Sequence, residues 1–204
     1  MKDSAIVLAP RSYQRLTLIG LFAIFFIPIL VAWWMTVHPG HWRPNATVNN
    51  GTLVEPTRSV FAAGLTHLDG RTYGADFFRQ GWTLVLIGST PCRDRCEMRL
   101  AKMRQARLAL GKDMDRVRRL YAALKMSEPA RVAELQRAHP GLNMARANPQ
   151  WLTPFKLDTG GPDETSGIYL VDPEGRLMMH YAEEVAAEGI LRDLQRLLKI
   201  SKIG

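Results

Sequence analysis

Cys92 and Cys96 are the only cysteines in the 204-residue chain, and Arg93-Asp94-Arg95 separates them. Side chains four positions apart share one face of a helical turn, close enough for a disulfide or a common metal ion. A thiolate is both the nucleophile of disulfide exchange and a soft metal ligand. The pair therefore admits three chemistries: an inert staple, a redox couple or a metal clamp. A staple closing only three intervening residues restricts the unfolded chain very little, which weighs against the first. At a helix start, free N–H groups and the helix dipole favour thiolate, and Arg93 and Arg95 add positive charge.

The elements that must hold this pair are visible on either side of it. Residues 82–87, Trp-Thr-Leu-Val-Leu-Ile, form a continuous apolar run, as expected for a strand inside a sheet. After the pair, Cys96, Leu100, Met103, Arg107 and Leu110 recur at helical spacing until Gly111 supplies a stop. Residues 117–124 then read as a strand. Ser127-Glu128-Pro129 opens another helix, with Ser127 as N-cap and proline in the first turn, ending at His139-Pro140-Gly141. Residues 60–68, with the turn Asp69-Gly70, suggest a strand or hairpin upstream. Residues 168–181 form a clear hairpin around Asp172-Pro173-Glu174-Gly175, where proline presets the turn and glycine takes the positive-φ position. Ile190, Leu191, Leu194, Leu197 and Leu198 give a last helix its apolar face. This order predicts an α/β layer with crossover connections, residues 59–204 making one domain.

Residues 17–37 carry no charge and are long enough to span a bilayer as a helix. Pro28 would kink such a span without forbidding it, and Trp33 and Trp34 suit an interface belt. The run exceeds a typical signal-peptide core, and no small-residue cleavage site follows, so an uncleaved single-pass anchor is expected. Lys2, Arg11 and Arg15 oppose only Asp3 in the short tail 1–16, which places that tail in the cytoplasm. The rest would then lie in a periplasm, tethered to the inner membrane through 38–58, a stretch containing Pro39, Pro44 and Pro56.

The formal net charge is +8, and residues 93–119 hold ten Lys/Arg against four Asp/Glu. Basic residues do not alternate with aromatic ones there, and nucleic acid is no expected partner outside the cytoplasm. The charge fits an anionic lipid surface, an acidic protein or a solvated helix face.

A strand ending in a turn, Pro91-Cys92-x-x-x-Cys96, a following helix, the Ile168-Tyr-Leu-Val-Asp-Pro-Glu-Gly175 hairpin and an N-terminal anchor together resemble the Sco/SenC branch of the thioredoxin superfamily. The resemblance covers roughly residues 59 to 200. It implies a thioredoxin-like fold, a central mixed sheet flanked by helices, and a role in cytochrome c oxidase assembly. The implied partner is an oxidase subunit or another copper-site protein, and the implied cargo is copper. Cys92 would be the more exposed, attacking thiol or first ligand, and Cys96 the resolving thiol or second ligand. The family's third ligand is a histidine in an Asp-His-Thr context, whereas this chain reads Asp163-Glu164-Thr165. A carboxylate suits copper(I) poorly, while two thiolates alone can hold it. The departure favours reduction of a partner's thiols over copper delivery.

Five histidines are the other soft-ligand candidates. His180 follows Met178 and Met179, and strand alternation puts Met178 and His180 on one face with Met179 on the other. Sheet packing is the simpler reading of these three. His139 reads as a helix end, His67 as an exposed turn residue, and His38 and His41 as neighbours of the lipid headgroups. A Ser-His-Asp set, a phosphate-cradling glycine loop and the HExxH zinc signature are all absent from the sequence.

Overall fold

In the computed structural model, which describes residues 11–37, 49–88, 92–126, 128–156 and 167–201, the apolar run becomes strand β3 (Trp82–Gly88) at the centre of a sheet. The chain divides into two units, Met1–Thr47 and Val48–Gly204. The first contains helix α1 (Arg11–Val37), whose segment Arg15–Val37 has a mean hydropathy of 2.5 and is long and apolar enough to cross a membrane.

In the second unit, β1 (Thr52–Ser59), β2 (Leu65–His67), β4 (Val117–Ala123), β5 (Leu142–Ala147), β6 (Ile168–Val171) and β7 (Arg176–Tyr181) join β3 in the order β1-β7-β6-β3-β4-β5-β2. Strands β3, β4 and β5 run parallel and the remaining pairs are antiparallel, so the sheet is mixed. Helices α2 (Asp94–Ala109) and α3 (Pro129–Ala138) make the connections between the parallel strands, and α4 (Ala187–Ile200) closes the chain. This is the mixed sheet with flanking helices that the sequence implied.

Because β3 is covered on both faces, its alternate residues enter two cores. Trp82, Leu84 and Leu86 pack with Leu100 and Met103 of α2 and with Ile190 and Leu194 of α4. Val85 and Ile87 face Phe77, Phe78, Trp151 and Phe155 on the other side. Along the hairpin, Gly175 takes φ +78 as its turn requires, and Asp172 Oδ1 accepts the N–H groups of Glu174 and Arg176.

Three local expectations change. Residues 52–58, read as tether, join Ser59 in edge strand β1 against β7. Pro56 sits where the β1–β7 register shifts, a position in which a missing N–H breaks no ladder. Helix α3 has Glu128 as N-cap and Pro129 at its first position; Ser127 lies outside the described residues. In β7 the pairing jumps from Leu170↔Met179 to Val171↔Leu177, leaving Met178 as an extra residue. That one-residue slip turns Met178 toward the α2/α4 core together with Met179, and puts His180 on the opposite face.

The start of the folded unit is held by a buried carboxylate on α4. Asp193 is 1% exposed and accepts from Asn50 N, Asn50 Nδ2 and Gly51 N at 2.9–3.1 Å. Asp193→Ala leaves these donors without their acceptor, the Gly51 N–H in a buried position and the Asn50 groups in partly buried ones. It is expected to cost about 3 kcal/mol in urea unfolding, as charged, buried hydrogen bonds do. A loss below about 1 kcal/mol would mean that the segment re-pairs elsewhere.

Candidate functional site

Parallel strands β3 and β4 end on the same sheet edge, the side where α/β folds place reactive groups. The chain leaves Gly88 there; residues 89–91, Pro91 among them, lie outside the described residues. It re-enters at Cys92, immediately before the N-cap Arg93 of α2. Arg93 is extended (φ −121, ψ 169) and its side chain makes no capping hydrogen bond, so the first turn closes through Cys96 N donating to Arg93 O at 2.7 Å. Cys96 therefore sits in the first turn, as the four-residue spacing demanded. The two sulfurs are joined in a disulfide with the Cα atoms 5.3 Å apart.

Exposure differs from expectation. Cys92 is 1% exposed and belongs to the α2/α4 core with Leu100 and Met103, while Cys96 is only partly buried. The residue ahead of the helix dips inward from the strand edge, and the one inside the first turn lies nearer solvent. Cys96, not Cys92, is the accessible member.

Polar groups frame the pair. Arg95 and Arg99 of α2 reach Glu183 in the β7–α4 connection, at 3.8 and 3.1 Å. Arg131 of α3 donates from Nε and Nη2 to the Cys92 carbonyl oxygen at 3.3 and 2.8 Å. It also forms ion pairs with Glu97 and, at 2.6 Å, with Glu134. Nothing in the local sequence marks Arg131. Its only signal is topological: a crossover helix returning to a parallel neighbour starts near the same sheet edge as the preceding strand's end.

The basic stretch is less of a face than its composition suggested. Arg107 donates to Val117 O, Arg116 reaches Leu198 O and Ser201 O, and Arg118 lies over the Phe77 ring. Arg119 is 2% exposed and donates to Pro140 O, and burial, with Arg107 and Arg104 nearby, lowers its pKa to about 10. Its Nε and Nη1 have no hydrogen-bond partner among the described residues.

Among the described residues no cluster of three or more His, Cys, Asp or Glu is arranged to hold a metal. His180 shares the sheet end of the cysteine pair, because Leu86 aligns with Ile168 and Ile168 with Tyr181. Its ring, however, lies 5.0 Å from that of Tyr169, on the face opposite Cys92. His139 caps the C-terminal end of α3, and burial, followed by Arg119 and Arg104, lowers its pKa. His67 stacks on Tyr73 at 3.6 Å rather than standing free in a turn. Glu164, His38 and His41 lie outside the described residues. The donor set on view is thus two sulfurs, which suit copper(I) only after reduction.

Residues 82–201 match the family model described as transmembrane-like, thioredoxin-like, C-terminal domain. No curated protein sequence matches the chain. Among solved structures, apo Sco1 from Thermus thermophilus is 25% identical over 76% of this chain and 99% of that one, with a TM-score of 0.57. Yeast Sco1 with copper bound is 16% identical over 71% and 95%, with a TM-score of 0.57. BsSco, a member of the Sco family of cytochrome c oxidase assembly proteins in which a disulfide switch was identified, is 15% identical over 72% and 99%, with a TM-score of 0.51. The last two show the shared fold. The second unit is Sco-like in its architecture.

Proposed function

The chain belongs to the transmembrane-like, thioredoxin-like C-terminal domain family, and on that premise we propose that it is a membrane-tethered accessory factor for cytochrome c oxidase biogenesis, acting through the Cys92–Cys96 dithiol. Helix α1 is the single-pass anchor, with the tail 1–16 in the cytoplasm and the thioredoxin-like unit in the periplasm. The observation that carries the chemistry is the disulfide itself, placed at the first turn of α2 on the carboxyl edge of the parallel strands. The oxidase context is supported by the likeness to the Sco structures.

In the reduced chain, the Cys96 thiolate attacks one sulfur of a disulfide on the partner's copper site. A mixed disulfide forms and the first partner thiolate leaves, taking up a proton. The Cys92 thiolate then attacks the Cys96 sulfur and releases the second partner thiolate. Two electrons have passed to the partner, which gains two thiols, while this chain keeps the Cys92–Cys96 disulfide. An external dithiol donor returns it to the reduced state by the same exchange.

A second reading is delivery of copper(I) as cargo on the two reduced sulfurs. The specific observation behind it is that yeast Sco1, which shares this fold, has been solved with copper bound. At the position of the family's third ligand this chain carries Glu164, a hard carboxylate that suits copper(I) poorly, so the reductase reading stands first.

Deleting the gene is expected to lower oxidase activity and oxidase copper content when copper is limiting, and the wild-type chain to restore both. Normal values in the deletion strain would end the oxidase role, leaving a general periplasmic thiol oxidoreductase. Full restoration by Cys92→Ser/Cys96→Ser would end both chemical readings and leave a non-catalytic scaffold.

A further inference from the structure

One cation grips both ends of the redox turn. The Arg131 guanidinium is 21% exposed and donates twice to the Cys92 carbonyl, while pairing with Glu97, the residue after Cys96. Its third contact is Glu134, one turn further along α3. Arg131 is thus fixed at three points, reaching 39 positions along the sequence to the Cys92 carbonyl.

The electrostatics follow from what reduction does. Opening the disulfide takes up two electrons and creates thiol and thiolate where none existed. Glu97, 44% exposed and next to Cys96, opposes negative charge there. The guanidinium sits on that carboxylate and offsets it. An arginine with forked donors can hold a carbonyl and a carboxylate together, which an ammonium holds less well. The same fork fixes the Cys92 peptide, so loss of the arginine would both loosen the turn and uncover Glu97.

We propose that Arg131 is a positioning residue that sets the reduction potential of the Cys92–Cys96 pair by locking the Cys92 peptide and screening Glu97. This inference rests on the dithiol reading, and it adds the element that tunes it. Stabilising the reduced form raises a disulfide's potential, so the signs are fixed. Arg131→Met lowers the potential, Glu97→Gln raises it, and Arg131→Met/Glu97→Gln returns toward wild type.

The test equilibrates full-length protein in detergent with glutathione or dithiothreitol buffers and scores the thiols by alkylation. Arg131→Met is expected to shift the equilibrium constant about tenfold toward the disulfide, ~30 mV for a two-electron couple. Arg131→Lys, which keeps the charge without the fork, is expected between Met and wild type. Unchanged potentials in folded Arg131→Met and Glu97→Gln would overturn the proposal, as would shifts of the same sign in both. If Arg131→Met does not fold, Glu97→Gln alone decides: a rise supports the proposal and no change overturns it. A wild-type chain with no reversible couple would instead remove the dithiol reading, and the proposal with it.

Discussion

Reduced Cys92→Ser protein, mixed with a disulfide-bonded peptide that carries the two cysteines of a copper site, is expected to accumulate a covalent adduct through Cys96. Cys96→Ser is expected to give about tenfold less adduct, because access to the attacking sulfur enters the exchange rate directly. The assignment follows from exposure: Cys92 is buried in the α2/α4 core, and Cys96 is the member nearer solvent. With Cys92 absent, nothing attacks the Cys96 sulfur from within, so the mixed disulfide persists. Either single serine abolishes the two-electron couple, since an intramolecular disulfide needs both sulfurs. Adduct accumulating on Cys96→Ser instead would restore Cys92 as the attacking thiol. Copper(I) titration of the same proteins separates the two chemical readings. Stoichiometric tight binding, lost in Cys92→Ser/Cys96→Ser, would put copper delivery first. A reversible couple without metal retention keeps the reductase.

How far such a site could be read before the fold was known depends on whether its parts are local. Strand β3 was legible because burial on both faces leaves an unbroken apolar run, and the β6–β7 hairpin because Pro173 and Gly175 fix its turn. The cysteine pair was legible because a four-residue spacing at a helix start brings the two sulfurs together, even though Cys92 itself precedes the N-cap. Strand β1 was not: as an edge strand it buries only Val54 well, so its polar residues and Pro56 mimic a tether. Met178 and His180, expected on one face, were separated by a single bulged residue, which no alternation rule can see. The depth of Cys92 and the grip of Arg131 on its carbonyl depend on two elements meeting at one sheet edge, information that lies in the topology. The basic stretch failed for a related reason: composition counts arginines, but Arg118 and Arg119 leave on opposite faces of β4.

The residue that closes this sheet edge offers the largest expected effect on stability. Gly167 precedes β6 with φ +130, a backbone region that side-chain-bearing residues rarely adopt. A Cβ placed there would stand 2.6 Å from the Tyr181 carbonyl oxygen and would collide with His180 Nε2. Neither neighbour gives way easily, because Ile168 pairs with Tyr181 in the ladder and the His180 ring is packed beside Tyr169. Gly167→Ala is therefore expected to cost about 3 kcal/mol or more, backbone strain adding to steric displacement. That is a large part of what a domain of this size has to lose. Urea unfolding followed by circular dichroism measures it. Gly167→Ala/His180→Ala should lose less than the two single variants added together, because removing the ring relieves part of the collision while the carbonyl contact and the positive φ remain. A single variant within about 1 kcal/mol of wild type would mean that the β6–β7 end relaxes freely, and that this edge does not hold the cysteine turn in a fixed frame.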